Sequence, residues 1–106
     1  MPITKQFQMN KKPPLCKISF HLGAAKAADA QEVCVVGDFN GWDTQALPMK
    51  RDKKGNFTAQ ITLPVGGVQR FRYIADKTHW LTDLEADGLE YCSFAQGDNS
   101  LLSLEP

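Results

Sequence analysis

The stretch FTAQITLPVGGVQRFRYIA, residues 57–75, places two alternating segments on either side of a turn. In the first segment every second residue is apolar, and the same period returns between Phe71 and Ala75. A period of two places successive side chains on opposite faces of a β-strand, so each segment predicts a half-buried strand. Residues 64–67, Pro-Val-Gly-Gly, are typical of a turn and predict a connection between the two strands.

Further strand signals lie on both sides of this stretch. Residues 17–22 alternate in the same way, and residues 33–36 form the continuous apolar run of a strand covered on both faces. Three weaker or shorter candidates complete the series: residues 46–51, 80–81 and 100–104. Six or seven short strands without a long helical period predict an all-β antiparallel sandwich, with an open barrel as the alternative.

Length and charge restrict the class of protein. The 106 residues correspond to one domain, which we expect over residues 14–106, preceded by a flexible N-terminal arm over residues 1–13. Twelve basic residues balance twelve acidic ones, which argues against a nucleic-acid or anionic-membrane surface. No apolar run is long enough to cross a bilayer, and we expect no secretory signal in the first residues.

The three cysteines predict a reducing environment. Cys16, Cys34 and Cys92 are odd in number and widely spaced, so we expect free, buried thiols and no disulfide framework. A cytoplasmic location is the simplest setting for such a chain.

Catalytic patterns are weak in this sequence. His21 and His79 lack a serine or cysteine partner in a recognisable motif, and no carboxylate pair predicts the cleft of a glycoside hydrolase. Residues 83–88 begin like a calcium loop, but Phe94 occupies the position of its final glutamate, so we expect a solvated acidic turn. We therefore expect no catalytic residue, no metal and no cofactor, and an enzyme acting on sugars is the least supported hypothesis.

One segment stands out as a candidate binding loop. Residues 33–42, VCVVGDFNGW, run from a buried strand through a Gly and Asn-Gly turn that ends on Trp42. A second tryptophan, Trp80, also lies beside a turn. Each ring either caps the core or stays available to a ligand. Two tryptophans at strand ends form a flat platform suited to the C–H face of a sugar ring, with polar neighbours for the hydroxyls.

These residues resemble the signature of carbohydrate-binding module family 48, also called the isoamylase N-terminal or early-set domain. The family is similar to the glycogen-binding domain of the AMP-activated protein kinase β subunit. The core of the resemblance is GDFNGW at residues 37–42. The resemblance covers about residues 15–104 and includes residues 20–22, 30, 55–57, 63–66, 71–76, 80–83 and 99–102.

The resemblance implies an immunoglobulin-like early-set sandwich that binds α-glucans such as glycogen, starch or maltooligosaccharides. Trp42 and Trp80 match the two tryptophans that stack on glucose rings, and Asn99 matches the asparagine that bonds hydroxyls. Arg72 stands where a lysine is usual, which changes the donor from a point charge to a planar fork. Phe94 is the nearest candidate for the apolar residue that grips the glucan in the loop before Asn99.

Family members are often accessory domains of glycoside hydrolase family 13 enzymes, whose catalytic barrel this sequence does not contain. We therefore expect a free-standing, non-catalytic module whose partners are an α-glucan and a glucan-metabolising enzyme, without nucleic acid or membrane. The alternative is a protein-interaction or regulatory module that docks the same aromatic patch on such an enzyme or on a kinase. Convergence of Arg72 and Asn99 in a groove would favour sugar, and a flat apolar patch would favour protein.

Overall fold

The computed structural model describes residues 3–27, 30–83, 85–92 and 97–106. These residues contain one short helix, α1 (Ala24–Ala27), and a 3-10 turn at Asp38–Asn40. None of the helices in these ranges is long and apolar enough to cross a membrane. In chain order the strands are β1 (Ile3–Gln8), β2 (Leu15–Leu22), β3 (Val33–Gly37), β4 (Lys50–Arg51), β5 (Phe57–Pro64), β6 (Val68–Ala75), β7 (His79–Leu81), β8 (Gly88–Cys92) and β9 (Gly97–Ser103).

The strands form two antiparallel sheets. The first sheet has the order β1-β2-β5-β4, and the second has the order β3-β6-β9-β8. The short strand β7 pairs with residues 73–75 of β6, beyond residues 68–71, which pair with β9. This architecture confirms the predicted immunoglobulin-like β-sandwich.

Alternation of apolar residues places the core between the sheets. Along β2, every second residue from Cys16 to Leu22 is buried, whereas the residues between them are partly exposed. Phe20 of this strand meets the facing sheet at Phe71 and Tyr73, with ring centroids 5.2 and 6.4 Å apart. Both contacts are edge-on, a geometry that contributes about 0.5–1.5 kcal/mol beyond the burial of the rings. The aromatic cluster therefore joins the two sheets at their centre.

The turn predicted at residues 64–67 carries the chain from one sheet to the other. It follows β5 in the first sheet and leads into β6 in the second. Gly66 and Gly67 have φ values of +116° and +77°, which glycine adopts without the clash of a Cβ. Their backbone bonds to Leu104, at 2.8 and 2.9 Å, fasten the connection to the C-terminal segment.

The N-terminal segment differs from the expected flexible arm. Within residues 1–13, Ile3–Gln8 form β1. Every residue of β1 pairs with a residue of β2, from Phe20 to Leu15. Ile3 and Phe7 pack against the core, and Lys5 forms a 2.6 Å ion pair with Asp87. Two apolar residues among polar ones are too sparse a pattern to predict a strand, and the sheet edge supplies the missing backbone partners.

Two further segments differ from the predicted strands. The sequence analysis does not predict β8. This strand lies at a sheet edge, where its larger apolar residues, Leu89 and Tyr91, are 45% and 67% exposed, so it lacks a buried face that would produce a clear alternating pattern. Of the strand predicted over residues 46–51, only β4 pairs with a neighbouring strand, β5. Pro48 forms a single isolated bridge with Cys34. Edge strands depend on neighbours more than on a buried face of their own, so their sequence signal is weak.

Candidate functional site

The outer face of the second sheet carries most of the predicted site residues. Phe71, Tyr73 and Ala75 of β6 belong to the core, so the residues between them face outward. Trp80 lies opposite Ile74 on β7, and paired residues share a face. Asn99 of β9 bonds the side chain of Arg72. Three predicted side chains, Arg72, Trp80 and Asn99, thus lie on one face of adjacent strands.

The loop after β3 brings Trp42 back to the end of that strand. The side chain of Asn40 accepts a hydrogen bond from the Gly37 N–H and donates one to the Val35 carbonyl, both at 3.1 Å. Gly41 and Trp42 follow with φ values of +65° and +60°. The Trp42 N–H then donates to the Gly37 carbonyl at 2.9 Å, which closes the loop. A left-handed conformation is costly for a bulky residue, so the surrounding hydrogen bonds hold Trp42 in place.

A hydrogen bond from the indole nitrogen also fixes the orientation of the Trp42 ring. Nε1 donates to Oδ1 of Asp38 at 2.9 Å, and Oδ2 of the same carboxylate accepts the Arg70 backbone N–H at 2.8 Å. The Arg70 side chain extends the contact, with Nη1 3.7 Å from Asp38 and Nε bonded to Glu90 of β8. Asp38, Arg70 and Glu90 therefore form a row of charged side chains that extends from the turn after β3 across β6 to β8. Trp42 is bonded to the Asp38 end of this row.

Arg72 and Asn99 form a buried polar pair beside this row. Each is 5% exposed, and Arg72 Nε donates to Asn99 Oδ1 at 2.8 Å. Within the described part of the chain, Nη2 of Arg72 is buried and makes no hydrogen bond. An unsatisfied buried donor costs about 1–3 kcal/mol, so this face retains an unused capacity to bond an acceptor.

Trp80 lies at the other end of the same face and is 46% exposed. The turn before it, residues 76–78, includes two left-handed residues, Asp76 and Lys77, with φ values of +50° and +65°. The Asp76 carboxylate stabilises this turn by accepting the backbone N–H groups of Gln31 and Glu32. The turn thereby leads into β7, and Trp80 faces outward.

The predicted residues follow one line along β6. Trp42 is tied through Asp38 to Arg70, the Arg72–Asn99 pair comes next, and Trp80 lies opposite Ile74. The backbone from position 70 to position 74 is roughly 13 Å long at the rise of an extended strand. Two aromatic side chains attached on either side of a polar pair suit an extended ligand with alternating apolar and hydroxyl faces. Phe94, the fifth predicted residue, lies outside the described residues.

Asp38, Arg70 and Glu90 are the residues of this face that sequence analysis did not select. Asp38 belongs to the GDFNGW segment, where its place four residues before Trp42 is the available signal. Arg70 and Glu90 lie 32 and 52 residues beyond Asp38 in the chain, so no local pattern connects them. Only the sheet register brings their side chains together.

Asp83, the first residue of the acidic segment 83–88, is buried and not solvated as the sequence predicts. Asp83 is 5% exposed, and its carboxylate accepts hydrogen bonds from the Tyr73 hydroxyl at 3.1 Å and from the Glu85 backbone at 2.9 Å. Ser100 bonds both the N–H and the carbonyl of Asp83. These contacts assign Asp83 a structural role in the core. Among the described residues no group of three or more possible ligands is arranged to hold a metal ion.

A pocket of about 780 Å³ lies beside the short helix α1. It is formed by the end of β2, helix α1, the β4–β5 turn and the segment after β7. An ion pair of 3.8 Å between Lys26 and Glu85, two of its lining residues, joins two of these segments. Of the predicted site residues that the structure describes, Trp42, Arg72, Trp80 and Asn99, none lines this pocket.

The two-sheet fold agrees with the family that the sequence matches. The model of carbohydrate-binding module 48, the isoamylase N-terminal domain, matches residues 24–92, and the chain belongs to this family. The matching region is a carbohydrate-binding module and not a catalytic domain.

Among known proteins, the chain is similar to bacterial branching enzymes. It is 61% identical over 33 residues, 31% of its length, to the 1,4-alpha-glucan branching enzyme GlgB of Butyrivibrio fibrisolvens, and covers 5% of that enzyme. It is 39% identical over 64 residues to the GlgB 2 branching enzymes of Xanthomonas oryzae pv. oryzae and Xanthomonas euvesicatoria pv. vesicatoria. These matches cover 60% of the chain and 9% and 8% of the two enzymes, so it spans less than a tenth of their length.

Proposed function

We propose that this chain is a non-catalytic module that binds α-glucans of the glycogen, starch or maltooligosaccharide type. The observation that carries the proposal is the arrangement of Trp42 and Trp80 on one sheet face, with the Arg72–Asn99 pair between their attachment points. The proposed site consists of these four residues and Phe94, which precedes β9 in the sequence.

The chemistry of the face supports a sugar ligand. A pyranose ring has apolar C–H faces that pack on an aromatic surface and equatorial hydroxyls that need hydrogen-bond partners. Trp80 is 46% exposed and so accessible to a ligand. The indole N–H of Trp42 is already bonded to Asp38, so the apolar face of that ring is the part left for contact. Arg72 and Asn99 add polar groups at the centre of the same face.

The choice of α-glucan rests on the family and the relatives. The relatives are named as 1,4-alpha-glucan branching enzymes, and a shared module that binds carbohydrate would hold the glucan on which such an enzyme acts. We propose that the module acts alone or beside a glucan-metabolising enzyme, without nucleic acid or membrane. The odd number and wide spacing of the three cysteines favour the cytoplasm as its location.

Affinity electrophoresis in gels with and without embedded glycogen tests the proposal. The wild-type protein should be retarded by glycogen, and Trp42→Ala or Trp80→Ala should weaken binding by about 2 kcal/mol or more, as expected of aromatic anchors. Tyr91→Ala is the matched control, because Tyr91 is a large aromatic residue that is 67% exposed. It pairs with Asp98, one residue before Asn99, so its side chain alternates to the opposite face of the sheet. The retention of this variant should equal that of the wild type.

A protein-interaction module remains the second candidate function. It is favoured by one observation, the 46% exposure of Trp80, since exposed tryptophans are typical anchors of protein interfaces. Equal mobility of the wild type and both tryptophan variants in glycogen gels, with an intact fold, would support this function and contradict sugar binding.

A further inference from the structure

The buried contact between Arg72 and Asn99 has a fixed chemical direction. A guanidinium group is always charged and carries only donors, so the atom of Asn99 that meets Arg72 Nε at 2.8 Å must be the carbonyl oxygen. The amide nitrogen of Asn99 is consequently turned away from Arg72. It makes no hydrogen bond to any of the described residues.

The charge of Arg72 also changes the strength of that free donor. A hydrogen bond accepted by an amide oxygen polarises the amide and strengthens its N–H groups, and the effect grows in a buried environment. Arg72 is 5% exposed, and its Nη2 atom is buried without a hydrogen-bond partner among the described residues, so the bond to Asn99 lies in such an environment. Asn99 therefore presents a polarised NH2 group at the centre of the outer face.

We propose that Arg72 is a positioning residue that acts on the glucan through Asn99. It holds the Asn99 amide so that Nδ2 donates to a hydroxyl or ring oxygen of the sugar. The role differs from the one implied by the family resemblance, in which the basic residue itself bonds the hydroxyls. The inference rests on the proposed function and adds the direction of the hydrogen bond: the protein donates and the sugar accepts.

Asn99→Asp is the most direct test, because it changes one atom. An aspartate keeps an oxygen for Arg72 Nε but replaces the NH2 donor by a second acceptor. We expect the melting temperature to be retained or raised, since the bond to Arg72 becomes charge-assisted. The dissociation constant for maltoheptaose, measured by isothermal titration calorimetry, should rise about tenfold or more. Unchanged affinity in a folded Asn99→Asp protein would overturn the inference.

A double-mutant cycle separates positioning from direct contact. Arg72→Met should weaken maltoheptaose binding about fivefold in the wild type and have no further effect in the Asn99→Ala background. Equal losses in both backgrounds would mean that Arg72 contacts the sugar itself and would overturn the inference. Arg72→Lys keeps a charged donor for Asn99 and should restore part of the lost affinity. It also provides the same comparison if Arg72→Met lowers the melting temperature below the working range.

The same titrations distinguish this inference from the proposed function. If maltoheptaose binds and Trp42→Ala abolishes binding while Asn99→Asp does not weaken it, the function stands and the role of Arg72 is wrong. If the wild-type protein binds no maltoheptaose, both are contradicted.

Discussion

Nε1 of Trp42 donates a hydrogen bond of 2.9 Å to Oδ1 of Asp38, and this carboxylate is itself bonded to the backbone of Arg70 in β6. The loop tryptophan is thus attached to the sheet by a side chain from its own loop. Because its N–H is occupied, Trp42 can offer a ligand only its carbon surface. A ring held in this way loses little freedom on binding, which lowers the entropic cost of association.

Replacing Asp38 with alanine should weaken glucan binding without unfolding the protein. The variant loses the bond to Trp42 Nε1 and leaves the ring free to adopt other rotamers, so we expect a loss of about 1 kcal/mol of binding free energy. Near-ultraviolet circular dichroism should report the altered tryptophan environment.

Asp43→Ala is the control for this change. Asp43 lies in the same loop, but its carboxylate bonds the Gln45 backbone and not a ring. If Asp43→Ala and Asp38→Ala reduce affinity equally, the role assigned to Asp38 is wrong.

Gly37 should not tolerate a side chain. A Cβ at this position would lie 2.4 Å from the Arg70 carbonyl and 2.7 Å from a carbon of the Phe39 ring. We expect Gly37→Ala to lower the free energy of unfolding by about 1–3 kcal/mol or more, because the strand at the start of the Trp42 loop must shift. Urea denaturation measures this loss.

Gly23→Ala is the matched variant, since the nearest atom to its added Cβ is 4.0 Å away, at Asn56. We expect its unfolding free energy to stay within about 1 kcal/mol of the wild type. Comparable destabilisation at both glycines would contradict the steric explanation for Gly37.

The hydrogen bond from Tyr73 to Asp83 predicts a loss of stability in alkali. Burial, followed by the charge of Asp83 and the hydrogen bond to it, raises the pKa of the Tyr73 hydroxyl above its usual value. The folded state therefore favours the neutral phenol. The resulting stability is fully present below about pH 10, the pKa of an unfolded tyrosine, and is lost as the pH rises above it.

Tyr73→Phe should flatten this alkaline decline and cost about 1–3 kcal/mol at neutral pH, because buried Asp83 loses a donor. Unfolding free energies measured by urea denaturation from about pH 7 to about pH 11 test both effects. Tyr91→Phe is the control, since Tyr91 is 67% exposed. An alkaline decline as steep in Tyr73→Phe as in Tyr91→Phe would contradict the assignment.

The thiols of Cys16 and Cys34 should react slowly in the folded protein. Burial raises the pKa of both, so little thiolate is present at neutral pH. Mass spectrometry after alkylation should show slow labelling of these two residues in the native protein. After denaturation without reductant, three labels are expected, including one on Cys92, whose side chain lies outside the described residues. Fewer than three would indicate a disulfide.

The sequence by itself determined the sandwich and the loop that carries Trp42. Period-two alternation in residues 17–22 and 57–75 identifies strands and their buried faces, because burial on one side of a strand imposes that period. The GDFNGW segment also encodes its own loop: Asn40 and Gly41 close it through contacts within six residues of Trp42. Such local interactions can be read without knowledge of the rest of the chain.

Only the tertiary structure decided how the side chains of the outer face combine. The bonds from Arg72 to Asn99 and from Arg70 to Asp38 join residues 27 and 32 positions apart, and both depend on the register of neighbouring strands. The alternating pattern predicts that Arg72 faces outward, as it does, yet it is 95% buried and has its Nε bonded to an amide. Pattern specifies the direction of a side chain, whereas its burial and partners depend on which residues other strands bring beside it.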